Sequence, residues 1–292
     1  MKKDLNKDEF ITEVNNSSLK PKNFEQIYDD FQRFQELAWN SLLAFHHVCE
    51  NNGIRYQLAF GSLLGAIRDN GQIPWDYDID VFVVSEDREL LVKCLENELD
   101  SNYYYDCAEK NSKCRNEMIR ICPKGYRSEA LHVDVFFLIG TPENAEEFES
   151  FTKRVRFLCD VRFEKLVNVN EEYFGRHKAI ILHSLKKIRY IFYNTNKMHE
   201  EYLKLCSKYS VYSASKTVNA NGYAGKYFIP SELIRETELK TIKNVELRIP
   251  CNYDAVLKIL YGDYHLVSNL DQRLDELLTS YKRLKRFETN NN

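Results

Sequence analysis

The chain has 292 residues, of which 43% are hydrophobic and 29% charged, and its formal net charge is -3. This length suits one large domain or a domain with an appended part, and the composition is that of a globular protein. The nearly balanced charge gives no basic field, so we expect no nucleic-acid partner. The charged start and the lack of a run of about 18 apolar residues predict neither a signal peptide nor a transmembrane helix.

Eight cysteines are scattered along the chain, and none forms a C-x-x-C pair. Several lie inside apolar runs, as Cys49 does. This usage is typical of free thiols in a reducing compartment, so we expect a cytoplasmic protein.

The predicted elements alternate between helices and strands. Residues 1–22 are polar and are predicted to be a flexible segment, and from Asn23 to Asn52 apolar residues recur at helical spacing. Further elements follow in chain order: a strand at 54–60, a break at Gly61-Ser62, a short helix at 63–68, a strand at 78–84, a helix at 88–99, strands at 118–122 and 131–139, helices within 173–209, a short helix at 253–260 and an amphipathic helix at 270–287.

This order predicts an α+β fold in three parts. We expect the flexible segment 1–22, a catalytic core at 23–170 with a sheet flanked by helices, and a mostly helical C-terminal part at 171–292 that completes the site.

Two acids open the second predicted strand. Asp78 and Asp80 are two residues apart, so their side chains point to the same face. Like charges at the start of an apolar strand are costly unless something neutralises them, and carboxylate oxygens suit Mg²⁺. A solvated acidic turn is the alternative interpretation.

A third acid, Asp134, interrupts the apolar run 133–137, where a carboxylate is expensive to bury without a partner. If its strand lies beside the strand of Asp80, the three carboxylates form one metal site. The alternative is an edge-strand residue that pairs with a nearby Arg or Lys.

Gly61-Ser62 precedes these acids, between a predicted strand and a helix. A helix start of this kind binds anions. A Gly-Ser, then a D-x-D, then a single Asp on a later strand resembles the nucleotidyltransferase superfamily. That resemblance implies a mixed sheet, three metal-binding acids and a Gly-Ser that contacts phosphate.

The whole run from Phe60 to Val81, FGSLLGAIRDNGQIPWDYDIDV, is similar to the central motif of the LicD family. The segments 249–254 and 260–264 resemble the closing element of that family, so the resemblance covers about residues 35 to 265. One departure is Tyr77, where the family usually has Asp. Because Tyr77 alternates with its neighbours, we expect it to point away from the metal face.

The resemblance implies a transferase that moves a phosphorylated small alcohol from a CDP-linked donor to a sugar hydroxyl and releases CMP. Phosphocholine is the first candidate and ribitol phosphate another. The acceptor is a glycan or lipid-linked glycan of the bacterial cell surface, such as lipopolysaccharide, teichoic acid or capsule. The expected cofactor is Mg²⁺, with Mn²⁺ as the alternative, held by Asp78, Asp80 and Asp134, and Asp134 is the predicted base.

Several other residues are candidates for contacts with the substrate. Arg68 is predicted to brace phosphates, against the alternative of a surface arginine, and Arg120 is a weaker phosphate candidate. Trp75 either packs the loop or contacts a base or choline. Asp76 has an uncertain role near the phosphate-binding residues, and His132 is either a packed histidine or a polar group of the site.

Two basic stretches remain, with Lys178, Lys186, Lys187 and Arg189 in one and residues 282–286 in the other. They indicate either peripheral contact with the inner face of the plasma membrane or solvated helix faces. Two other functions also stay open: a nucleotidyltransferase that adds NMP from an NTP, and a non-catalytic binding protein.

Overall fold

The computed structural model describes residues 7–167 and 176–289. In chain order the elements are α1 (Lys7–Asn15), α2 (Phe24–Asn51), β1 (Tyr56–Leu58), α3 (Phe60–Arg68), β2 (Ile79–Val84), α4 (Arg88–Glu98), β3 (Tyr103–Asp106), β4 (Ile119–Pro123), β5 (Val133–Gly140), α5 (Ala145–Leu166), α6 (Arg176–Arg189), α7 (Thr195–Cys206), β6 (Lys216–Asn219), β7 (Ile229–Pro230), β8 (Thr237–Ile242), β9 (Val245–Pro250), α8 (Tyr253–Tyr261) and α9 (Leu270–Thr289).

The chain divides into two compact units that interleave along the sequence. The first contains Met1–Tyr105, Arg120–Phe136 and Glu232–Asn292, and the second contains Asp106–Ile119 and Phe137–Ser231. This division does not follow the predicted boundary at residue 170. The C-terminal part expected to be mostly helical also contains β6 to β9.

In the first unit the strands are ordered β1-β2-β5-β4-β3. β1 pairs antiparallel with β2, with Tyr56 opposite Val83 and Leu58 opposite Val81. Helix α2 supplies a row of buried aromatic side chains at helical spacing, including Phe31, and β8 and β9 form a separate antiparallel pair. The predicted α+β class, with a mixed sheet flanked by helices, is confirmed.

The N-terminal segment differs from its prediction. Residues 7–15 form α1, with Phe10 and Val14 fully buried, so a flexible segment at 1–22 is wrong for these residues. Two apolar residues four apart in a polar segment lie on one helix face, and Phe10 packs on Trp75 with ring centroids 5.3 Å apart. Residues 1–6 lie outside the described residues.

The second unit pairs the end of β5 antiparallel with β6, and β6 with β7. A largely buried ionic network joins its helices α5 and α7 to the segment between β3 and β4. His199 Nδ1 is 2.6 Å from Glu117 Oε2, and its Nε2 is 3.7 Å from the more exposed Glu109. The Arg162 guanidinium lies 3.7 Å from the other oxygen of Glu117. The eight cysteines are free thiols.

Candidate functional site

The turn from β1 into α3 positions the first site residues. Phe60 has a φ of +45°, and its ring packs on Phe82 and Phe136 at 5.0 and 5.5 Å. The helix therefore begins directly after the strand, and Gly61 and Ser62 lie in its first turn. The break predicted at Gly61-Ser62 lies two residues earlier, at Ala59, between the end of β1 at Leu58 and the start of α3 at Phe60.

Ser62 fixes the position of Asp80. The Asp80 backbone N–H donates to Ser62 Oγ at 2.8 Å, and its carbonyl accepts from Ala59 N–H at 2.9 Å. Ser62 thus orients the strand that carries a predicted metal ligand. Its predicted contact with phosphate stays a prediction.

Gly61 allows Asp76 to approach closely. A Cβ at Gly61 would lie 3.0 Å from Asp76 Oδ2, a distance that leaves little room for any side chain. Asp76 Oδ1 accepts from the Asp78 N–H at 3.1 Å, and Gln35 Nε2 donates to the Asp76 carbonyl at 2.6 Å. The acidic loop is therefore held on both sides, by α3 and by α2.

Asp134 lies on β5, the immediate neighbour of β2, so the condition for a single site of three carboxylates, that the two strands are neighbours, is met. Asp134 Oδ1 accepts from Arg120 Nε at 2.9 Å and lies 3.3 Å from His132 Nε2. Arg120 also donates to the Ser128 carbonyl at 3.1 Å. Arg120, a predicted phosphate ligand, is thus the counter-charge of Asp134, and His132 is its second partner.

The four carboxylates of the site differ in the direction in which the protein shifts their pKa values. Burial raises the pKa of Asp76 to about 8, with repulsion by Asp78 adding to it. The surrounding protein raises the pKa of Asp78 to about 6 by desolvation, although the Asp78 side chain is itself exposed. Burial and the charges of Asp134, Asp78 and Asp76 raise the pKa of Asp80 well above its usual range. When Asp76, Asp78 and Asp80 are ionised, the neighbouring positive groups therefore do not fully neutralise their negative charge.

Asp134 behaves in the opposite way. Burial alone would raise its pKa, but His132 and Arg120 hold the pKa of Asp134 well below its usual range. A carboxylate this acidic is a weak proton acceptor at neutral pH. The predicted roles of Asp134 as the base and as a metal ligand both stay predictions.

The carboxylates fit a divalent cation in their chemistry. Oxygen donors that repel one another are the ligands Mg²⁺ prefers, and Asp78 and Asp80 supply them. Within residues 7–167 and 176–289, no group of three His, Cys, Asp or Glu side chains has the spacing of a formed metal site. Asp134 uses one oxygen for Arg120 and His132, so a cation would draw on its other oxygen.

Arg68 and Trp75 lie together inside the fold. Arg68 makes a bidentate pair with Asp69 at 3.0 and 2.8 Å, and the side chains of both are nearly fully buried. Its guanidinium also lies 5.8 Å from the Trp75 ring. Trp75 is 4% exposed, which supports packing and not contact with a base or choline. Arg68, predicted to brace phosphates, already has its bidentate partner in Asp69.

Tyr77 points away from the acids, as expected. Its ring packs edge-on against Phe31 at 6.4 Å, and its hydroxyl accepts a hydrogen bond from Arg283. Arg283 also lowers the pKa of Asp76, whereas Glu276 raises it. Neither residue of α9 was predicted to neighbour the site, since a basic amphipathic helix does not show which strand end it covers.

Comparisons with known proteins agree with this geometry. Residues 53–158 match the family model described as LicD/FKTN/FKRP, nucleotidyltransferase domain. This part of the chain is similar to the nucleotidyltransferase domain of the LicD family. The matched region contains the acids of the motif, Asp134 and Arg120, so the predicted fold type and the resemblance to the LicD family are confirmed.

The chain is also similar to proteins that are named as transferases. The chain is 26% identical over 266 residues to the lipopolysaccharide cholinephosphotransferase LicD of Haemophilus influenzae, covering 85% of this chain and 96% of that protein. It is 55% identical over 40 residues to the ribitol 5-phosphate transferase FKRP of Homo sapiens and of Mus musculus, which is 14% of this chain and 8% of theirs. In the described ranges, no helix combines the length and apolarity needed to cross a membrane.

Proposed function

We propose that this protein is a LicD-family enzyme that transfers a phosphorylated small alcohol, with phosphocholine as the first candidate, from a CDP-linked donor to a sugar hydroxyl of a cell-surface glycan. The observation that carries the proposal is the adjacency of Asp78 and Asp80, at β2, to Asp134 on β5. The name and coverage of the Haemophilus influenzae relative favour choline and lipopolysaccharide over other pairs.

In the proposed reaction the acceptor oxygen bonds to the phosphorus that carries the alcohol. The bond from that phosphorus to the bridging oxygen breaks, CMP leaves with the electron pair, and the hydroxyl proton passes to a base. A divalent cation, held by Asp78, Asp80 and Asp134, would neutralise charge on the donor diphosphate. Arg120 and His132 would keep the Asp134 carboxylate ionised and oriented for that role.

The chain's own groups also prepare the site without ligand. Ser62 holds the Asp80 backbone, and Gln35 and Gly61 hold the Asp76 loop. Fixing carboxylates that repel one another before the substrate arrives avoids reorganisation during the reaction. The structure of the motif thus favours charge stabilisation by a preformed site over a large rearrangement.

The test is release of CMP from CDP-choline, CDP-ribitol and CDP-glycerol, each with Mg²⁺, with Mn²⁺ and with chelator, in the presence of lipopolysaccharide. We expect metal-dependent CMP from one donor and a loss of at least about a hundredfold in Asp80→Asn. Asp29→Asn, an exposed carboxylate on α2, is the matched control and should retain activity. Wild-type protein that releases no CMP from any donor refutes the proposal, and pyrophosphate release from CTP or ATP would identify a nucleotidyltransferase instead.

A further inference from the structure

Helix α6 of the second unit exposes a row of large apolar side chains. Ile180, Ile181, Leu185 and Ile188 are 53%, 59%, 58% and 69% exposed. At 3.6 residues per turn they fall within an arc of about 140°. Ile191 and Phe192, in the turn after the helix, are 66% and 94% exposed. Single exposed apolar residues are ordinary, but a contiguous set marks an interaction surface.

The opposite side of α6 attaches to its own unit. Leu182, His183 and Lys186 are half-buried and Tyr190 is buried, and these positions follow one helix face. Lys186 donates to the Val167 carbonyl. The exposed row is therefore the outer face of a docked helix, and packing inside the unit does not cover it.

The charges on this segment all have one sign. Residues 176–193 contain Arg176, Lys178, Lys186, Lys187 and Arg189 and no Asp or Glu. On the helical projection Lys178 and Arg189 border the apolar arc on one side and Lys187 borders it on the other. Long basic side chains in this position place their stems along apolar surface and their charges in the headgroup layer.

We propose that the apolar face of α6, with Ile191 and Phe192, inserts into the interface of an anionic lipid membrane. The positive charge of this segment favours an anionic membrane over a second copy of the chain as the partner of the apolar face. A second copy docking by the same face would bring two sets of positive charges together, whereas anionic headgroups neutralise them. The proposal rests on α6 alone and does not depend on the proposed transferase activity.

The second basic stretch does not share this property. On α9, Lys285 lies 2.7 Å from Glu288 and 3.3 Å from Asp30, and Arg283 bonds to Tyr77. The apolar residues Leu274, Leu277 and Leu284 of α9 are buried. Of the two stretches that indicated membrane contact in the sequence, the structure assigns the role to α6.

The experiment is co-sedimentation of the full chain with sucrose-loaded vesicles, without donor or acceptor. Vesicles of equal parts phosphatidylcholine and phosphatidylglycerol are compared with pure phosphatidylcholine. We expect binding to the anionic vesicles, weakened by salt, and a partition coefficient at least about a hundredfold lower in Ile188→Ser/Phe192→Ser. Lys187→Gln/Arg189→Gln should lower it about tenfold or more. Leu266→Ser, which removes a 74%-exposed leucine of the first unit, is the matched control and should bind as wild type does.

A tryptophan at position 192 gives an independent measurement. Phe192→Trp fluorescence should shift to the blue and be quenched by brominated lipid on anionic vesicles, since the ring would leave water. Equal binding by wild type and Ile188→Ser/Phe192→Ser overturns the proposal. The proposal is also overturned if wild type does not bind the vesicles and instead forms a concentration-dependent dimer in analytical ultracentrifugation that the same double variant does not form.

Discussion

Gly65 is the residue at which the acidic loop meets α3, and we predict that Gly65→Ala destabilises the protein. A Cβ there would lie 2.5 Å from the Gly71 carbonyl oxygen and 3.0 Å from the Ile73 nitrogen. Both are backbone atoms, so no side-chain rotation relieves the contact. The Gly65 carbonyl also accepts from Asp69 and Gly71 N–H at 2.9 and 3.2 Å, which ties the loop to the helix at this residue.

The magnitude follows from two opposing effects. Overpacking against backbone costs about 1–3 kcal/mol, with the upper end expected here, and the higher helix propensity of alanine returns about 1 kcal/mol. We therefore expect a net loss of about 2 kcal/mol in the free energy of unfolding. Because the displaced loop continues to Asp76 and Asp78, CMP release from the donor identified for wild type should also fall, by about tenfold or more.

Urea unfolding followed by circular dichroism measures the stability change. The control is Gly71→Ala, whose Cβ would meet only the flexible side chain of Lys243, at 3.3 Å from its Cε, and which should stay within about 0.5 kcal/mol of wild type. A Gly65→Ala protein as stable as wild type, or more stable, would show that helix propensity outweighs the clash and that the close approach does not fix the loop.

Three further predictions concern charged groups. Without metal, Asp80→Asn should raise the free energy of unfolding by about 1–2 kcal/mol over wild type, because it removes a carboxylate whose negative charge is not fully neutralised by its neighbours. In thermal-shift measurements the same variant should lose the stabilisation that Mg²⁺ gives wild type. Arg120→Gln should cost about 2–3 kcal/mol in urea unfolding by leaving Asp134 without its partner, and Arg120→Lys should recover part of that; equal stability of the three proteins would contradict the pairing. Burial alone would lower the pKa of His199, but its carboxylate partners, including Glu117, raise it. The protonated imidazole therefore stabilises the folded protein below the unfolded pKa of about 6.5, and this stabilisation is lost as pH rises through the higher folded pKa. Urea unfolding across that range should show a flatter pH dependence in Glu117→Gln, and an unchanged slope would contradict this assignment.

Long periodic elements were predictable because their signal is local. The helix predicted at residues 23–52 is α2, and the end of α8 at Gly262 follows from the φ of +68° that a glycine adopts easily. α1 was missed because its apolar signal is short and consists of Phe10, Ile11 and Val14. Trp75, one of the aromatic partners of Phe10, is far away in sequence, and propensity in a short segment says little about such contacts.

The site was predictable in its residue types but not in all its contacts. Spacing alone placed Asp78 and Asp80 at a strand start, and an Asp in an apolar run pointed to Asp134. The partners of Arg68 and Arg120 depend on which elements neighbour them in space. Both arginines were assigned to phosphate because the sequence shows a cation near a motif and does not show which carboxylate it meets first.

Asp134 shows why two interpretations of one residue need not exclude each other. The sequence offered a metal ligand beside the acidic strand or an ion-pair partner of an arginine, and the structure has Asp134 beside β2 and paired with Arg120 at 2.9 Å. A cluster of carboxylates needs positive charge whether or not a cation is bound. Arg120 and His132 hold the pKa of Asp134 below its usual range. They also lower the pKa of Asp78, and Arg120 lowers that of Asp80, but burial and the neighbouring carboxylates leave both of those pKa values raised. The charge left on Asp78 and Asp80 is therefore what a divalent cation would neutralise.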